Sequence, residues 1–195
     1  MPDLTSPSGE KPVVVICPFL ALPTAVRRAT VAAIDAIFFE ASSVKAFADN
    51  EARAAFRWLW LGRYLCEEPE HAFVAQTGDG RTIGYLVGSI ADPAQREAFA
   101  SLTYFADFAR LTAQYPAHLH INMAAGSRST GVGARLIEAF AEHAKERGAP
   151  GMHVVTSADA RNTRFYRRCG FVERARADRP GGAVVLLCRA LSADL

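Results

Sequence analysis

Several things are scarce in this chain of 195 residues, and each scarcity narrows its chemistry. Net charge is only +2 and no dense Lys/Arg stripe is present, so the footprint expected for nucleic acid or a membrane surface is missing. Charged residues interrupt every apolar run before it reaches membrane-spanning length. The cysteines, Cys17, Cys66, Cys169 and Cys188, are scattered without a CxxC pair. That spacing argues for free thiols in a reducing compartment, against a zinc site and against a disulfide framework. The first residues, Met1 to Lys11, lack the basic start and apolar middle of a signal peptide. They are expected to form a flexible tail ahead of one domain spanning 12–195, in a cytoplasmic protein. No internal repeat, low-complexity tract or interdomain linker is present.

What is present is an ordinary globular balance, 50% hydrophobic and 22% charged, in a chain long enough to bury a core. Val13-Val14-Val15-Ile16-Cys17 predicts a first strand. Pro23 opens a helix whose apolar spacing runs from Val26 to Phe39, and a second amphipathic helix is expected from about Glu51 to Cys66. In that second helix Trp58 and Trp60 are either pocket residues or, more simply, one core side chain and one half-exposed one. Ala72-Phe73-Val74-Ala75, a Gly78-Asp79-Gly80 turn and Thr82 to Ile90 read as a hairpin. Ala94 to about Gln114 predicts a helix broken near Thr103.

Leu119-Ile121-Met123 alternates with His118-His120-Asn122, a strand with one apolar and one polar face. A helix from Gly131 to about Arg147 follows, with Gly148 and Pro150 as its stop. Met152 to Val155 predicts a strand, Ala160 to Cys169 a helix, and Phe171 to Ala175 and Ala183 to Leu187 closing strands. The whole is mixed α/β with a single sheet.

The strand–loop–helix over 118–147 carries the most information. A helix start offers unpaired N–H groups and a partial positive charge, and Gly131 and Gly133 let backbone approach a ligand, which together suit a phosphate. Gly126 and Gly131 have the gap of an ATP-binding P-loop, but Val132-Gly133 stands where Lys-Ser/Thr is needed. Gly131-Val132-Gly133 begins a dinucleotide fingerprint, but Leu136 occupies its third glycine position.

The remaining pattern, Arg128-Ser129-Thr130-Gly131-Val132-Gly133 after a strand, resembles the acetyl-CoA loop of the GNAT acyltransferase superfamily. Phe165-Tyr166-Arg167-Arg168-Cys169-Gly170-Phe171 is similar to that superfamily's second signature, in the right order and separation. Pro116 to Asn122, Glu68 to Ala75 and Gly84 to Gly88 resemble bacterial members related to the acetyltransferase-like domain of O-GlcNAcase. The likeness covers about residues 65–175.

This resemblance implies a single mixed, mostly antiparallel central sheet flanked by helices in three layers, and transfer of an acetyl group from acetyl-CoA directly to a primary amine. It implies that the strand backbone at Ile121, Asn122 and Met123 pairs with the pantetheine arm, with an N–H near Met123 polarising the thioester carbonyl. Arg128, Ser129, Thr130, Gly131, Val132, Gly133 and Ala134 would hold the pyrophosphate. Tyr166 matches the family's general acid, and a phenol of ordinary pKa about 10 can donate to a departing thiolate. His118 and His120 are candidates for the base, since imidazole titrates in the useful range. A similar His-Leu-His occurs in serotonin-acetylating enzymes, although its spacing to the loop is one residue shorter here. Glu40 and Glu68 are weaker candidates.

One departure stands out. Seven residues before Tyr166 the family usually has Asn; this chain has Asp159, an acceptor only when ionised, with Asn162 three residues later. Asp159 then either meets the CoA arm or caps the helix at Ala160, and Asn162 is available as the donor. Ala125 replaces a common Pro. The same residues also suit a CoA-binding regulatory module without turnover. An interaction protein built on the Trp-rich helix has no specific support. No metal is implied. The acceptor amine stays open, as does a homodimer.

Overall fold

A computed structural model describes residues 13–192. The expected tail over 1–11 lies outside them. Seven strands form one sheet in the order β1 (Val14–Pro18), β2 (Phe73–Thr77), β3 (Thr82–Ser89), β4 (Ala117–Met123), β5 (Gly151–Ser157), β7 (Val184–Ala190) and β6 (Val172–Ala177). Only β4 and β5 run parallel; every other neighbouring pair is antiparallel. The single, mostly antiparallel mixed sheet is the one expected.

Each face of the sheet carries its own core, because alternate residues of a strand point to opposite sides. On one face α5 (Val132–Glu146) lays Val132, Leu136, Ile137, Phe140 and Ala144 against Phe73, Leu86, Ala117 and Leu119. Its approach is close. A Cβ on Gly88 would stand 2.7 Å from the Phe140 ring and 2.5 Å from the His118 carbonyl, so only glycine fits there. On the other face α1 (Thr24–Ala41) buries Thr30, Ile34, Ile37 and Phe38 at helical spacing, above Val74, Tyr85 and Val87.

The second helix is present but not uniform. Asp49 caps α2 (Asn50–Arg57) by accepting from the Ala52 N–H at 2.7 Å. A π turn, Trp58–Gly62, then leads into α3 (Arg63–Glu67). Such wide turns are rare and cluster at functional sites. Trp58 is 46% exposed, whereas Trp60 is half-buried in the second core.

Two expected helices are shorter. The stretch from Ala94 begins instead as two 3-10 turns, Pro93–Gln95 and Glu97–Phe99, and α4 is Tyr104–Thr112. The Ala98 carbonyl is turned to the Arg63 guanidinium rather than along a helix axis. Likewise α6 is Thr163–Arg168, not Ala160 onward, because Ser157 to Thr163 forms successive tight turns. Asp159 therefore caps no helix. All four cysteines are free.

All five histidines are held below their ordinary pKa, chiefly by burial. His143 sits between Arg147 and His71: Arg147 Nη1 is 3.0 Å from His143 Nδ1, and His143 Nε2 is 2.8 Å from His71 Nδ1. Arginine only donates, so Nδ1 accepts and Nε2–H donates onward to His71. A proton on His143 would break this chain. His153 is fully buried and donates from Nδ1 to the Tyr115 carbonyl.

Unfolded, these rings take protons near pH 6.5; folded, His120, His143 and His153 stay neutral down to about 4. Stability is therefore full above pH 6.5 and falls as pH drops towards 4. For His153 the loss at pH 5 is about 2 kcal/mol. In His153→Phe the drop in urea unfolding free energy between pH 7 and pH 5 should shrink by about that amount. An unchanged drop would show that His153 ionises normally.

Candidate active site

The site begins where two strands separate. β4 pairs with β3 from Ser89–His118 to Gly84–Met123, and the next residue is held by Ala124 N–H to the Ile83 carbonyl at 3.0 Å. β5 pairs with β7 from Gly151 to Ser157. Between them β4 and β5 share only the positions Ala117–Met152 and His118–His153. Beyond that, each strand follows its other neighbour. The β4 edge from Leu119 to Met123 is thus left without a strand partner on its β5 side. Unpaired strand edges are templates for an extended ligand. Ile121, Asn122 and Met123, all half-buried, lie on this stretch.

The edge runs into the glycine loop. A 3-10 turn, Ala125–Ser127, is followed by two left-handed residues, Ser129 (φ 62°) and Gly131 (φ 85°). Arg128 folds back, its Nε donating to the Met123 carbonyl at 3.2 Å, and Thr130 Oγ1 donates to the Ser127 carbonyl at 2.8 Å. Among the described residues the N–H groups of Ser129 to Gly133 find no acceptor. No side chain caps α5, and its first turn holds no acid. A row of free amides at a positive helix end, uncovered by the protein's own carboxylates, has the chemistry that suits an anion. Ala134 is already inside the helix, its N–H bonded to the Gly131 carbonyl at 3.1 Å.

Tyr166 reaches this region because α6 packs on the start of α5. A Cβ on Gly133 would meet the Phe165 ring at 3.3 Å. Tyr166 is 7% exposed, and burial raises its pKa, so the phenol keeps its proton. Its ring packs on Phe171 at 5.6 Å, the aromatic of the downstream signature. Asn162 turns toward β5, where its Oδ1 accepts from Thr156 Oγ1 at 3.0 Å, leaving its Nδ2 as a donor. Asp159 is exposed in the turn before it.

The polar face of β4 is covered by the α2–α3 segment. Trp60 packs on His120 with ring centroids 5.3 Å apart, and Tyr64 lies 5.6 Å from His120 and 5.8 Å from His118. His118 is sealed in, 3% exposed, stacked on His153 and edge-on to Phe99 at 4.8 Å. Its Nε2 has no partner among the described residues. His120 is half-buried and nearer the open end of the strand. Burial and the neighbouring Arg63 charge lower its pKa to about 4. Asn122 Nδ2 donates to the Tyr85 hydroxyl at 2.8 Å. Geometry thus separates the two histidines: His118 is a core residue, and His120 lies toward the opening.

Of the weaker candidates, Glu40 reaches the loop itself, its Oε1 accepting from Ala125 N–H at 3.3 Å. Glu68 is instead ion-paired with Arg96. Sequence reasoning missed Arg63, Tyr64, Tyr85 and Tyr104. The only signal for the first two was the spacing Trp60, Arg63, Tyr64, which places them on one helix face. Among the described residues no group of His, Cys, Asp and Glu gathers to hold a metal ion.

Comparison with known proteins agrees with this architecture. A family model described as the acetyltransferase (GNAT) family matches residues 33–171. Among solved structures, SsHAT is 25% identical over 93% of this chain and 100% of its own, with a TM-score of 0.68. The NatC complex bound to Gag peptide and CoA aligns over 92% of this chain and 99% of that one, at 15% identity and a TM-score of 0.62. Ard1 from Thermoplasma volcanium aligns over 91% and 97%, at 16% identity and a TM-score of 0.56. The last two similarities concern the fold.

Proposed function

The chain belongs to the GNAT acetyltransferase family, with acetyl-CoA as its acyl donor, and from that premise we propose that it transfers the acetyl group directly to a primary amine bound against His120. The observation that carries this reading is the unpaired β4 edge running into the free amides of Ser129 to Gly133. One continuous backbone surface there suits an extended arm followed by a pyrophosphate.

The residues divide the work as follows. The loop amides and the start of α5 hold the donor's phosphates, and the β4 edge at Ile121 to Met123 takes its amide-bearing arm. An N–H near Met123 stabilises charge developing on the thioester oxygen. The acceptor nitrogen forms a bond to the acetyl carbon as the carbon–sulfur bond breaks. Tyr166 gives its proton to the departing sulfur; burial keeps that proton on the phenol at neutral pH until the carbon–sulfur bond breaks. His120 takes the proton shed by nitrogen. A ring with a pKa of about 4 does not strip a free ammonium, but nitrogen becomes far more acidic as it acylates. The amine therefore reacts as its neutral form, having left its first proton to water. Asn162 Nδ2 replaces the family's usual donor at the position held by Asp159.

Three outcomes test this. With a lysine-type amine, log(kcat/KM) should rise by about one per pH unit between pH 6 and pH 9, following the amine. A break near 6.5 would contradict a His120 held neutral by its surroundings. Tyr166→Phe should lower amine-dependent release of free thiol from acetyl-CoA about a hundredfold while calorimetry shows CoA affinity within a few-fold. Tight CoA binding without turnover on any amine would instead support the regulatory module. Gly131→Val forces a β-branched residue into a left-handed position costing about 1–2 kcal/mol. It should weaken CoA binding about tenfold or more with the circular dichroism spectrum retained, and unchanged affinity would remove the loop from the donor site.

A further inference from the structure

Arg63 is 5% exposed, an unusual place for a guanidinium unless a carboxylate shares it. It donates from Nη1 to the Ala98 carbonyl, and the Phe99 ring lies 4.8 Å from its central carbon. Its Nε is buried with no partner, and among the described residues no carboxylate lies within ion-pair distance of it. The neighbouring arginines differ. Arg57 is paired with Asp35 at 2.7 Å, Arg96 with Glu68, and Arg179 with Asp107. Of these four arginines, Arg63 is the one with no carboxylate partner among the described residues.

Its placement is specific. Arg63 lies three residues after Trp60 and one before Tyr64, on the helical segment that covers the polar face of β4. Its charge is felt at His120, Tyr64 and Tyr104, so the guanidinium lies close to the ring proposed above to face the acceptor nitrogen. A guanidinium presents several N–H donors in a planar fork that matches a carboxylate. The π turn just before it shifts the helix face, and the Arg63 N–H closes that turn on the Trp58 carbonyl.

We propose that Arg63 binds the carboxylate of the acceptor, so that the amine acetylated is that of an amino acid or an amino-acid-like compound. This rests on the amine-transfer reading above and adds the acceptor's class. The amine faces His120 while the carboxylate neutralises Arg63, which orients the nitrogen and favours an acid over the same amine without its carboxylate.

The test compares matched pairs, such as phenylalanine with phenethylamine and tyrosine with tyramine, on wild type, Arg63→Gln and Arg63→Lys. Wild type should prefer the acid in kcat/KM by about a hundredfold or more, since a buried donor left unpaired penalises the decarboxylated analogue. Arg63→Gln should shrink that preference below tenfold, and Arg63→Lys, which keeps the charge without the fork, should fall between. Equal use of both amines by wild type, or a preference unchanged in Arg63→Gln, would overturn the assignment. The wild-type preference decides the matter even if a variant does not fold. If no amine is turned over, the transfer reading fails first. Melting of the CoA complex then separates the two ideas. Stabilisation of wild type by the acids and not by the decarboxylated amines keeps Arg63 as a carboxylate site, and no difference between them removes it.

Discussion

The parting of β4 from β5 after two paired positions is the constraint on which the rest of the site depends. Each strand has a stronger claim on it from the other side, β4 from β3 and β5 from β7. A buried strand edge without a partner is costly unless something completes it, because backbone N–H and C=O groups need hydrogen bonds. The fold therefore carries an open ladder in its middle rather than at its rim. The loop after β4 continues that logic. Its left-handed residues turn the chain so that successive amides are left free, and α5 adds its dipole behind them.

The two faces of the sheet then serve different ends. The α5 face is tightly packed and fixes the loop, with Gly88 admitting Phe140 at a distance no side chain would allow. The opposite face mixes aromatic rings with polar groups: His118, His120 and Asn122 from β4 meet Tyr64, Trp60 and Tyr85. Burial keeps the histidines there neutral, and Arg63 reinforces this at His120. In the proposed reading, a neutral imidazole beside a charged guanidinium receives a proton at one point and negative charge at another. The same burial links the site to acid sensitivity of the whole fold, since each neutral ring is a proton that only the unfolded chain accepts.

Much of this was legible in the residues alone. The alternation of His118, His120 and Asn122 with Leu119, Ile121 and Met123 placed one strand with two unlike faces, because side-chain direction in a strand has a period of two. Gly131 and Gly133 before an amphipathic run placed an anion-binding helix start, and the absence of Lys and of a third glycine separated it from the nucleotide loops. Tyr166 with Gly170-Phe171 completed the pattern. Each is a local signal, written within ten residues or so.

What tertiary structure decided was everything that depends on distant segments meeting. Periodicity treats His118 and His120 alike, and only the packing of Phe99, Tyr64 and His153 seals one and leaves the other near the opening. Sequence spacing allows Asp159 as a helix cap, yet the turns after β5 move the helix start to Thr163. Arg63 looks like any charged residue on an amphipathic helix. Its burial arises where the 97–99 turn, from elsewhere in the chain, closes over it. The sequence by itself determined a mixed α/β chain with a single sheet and a glycine-rich helix start, since periodicity and local hydrogen bonding dictate them, while the Tyr166 segment was read from its resemblance to a family signature. Which polar groups lose their water, and so which carry altered protons or unmatched charge, was set by long-range packing, because desolvation depends on what covers a residue and not on its neighbours in the chain.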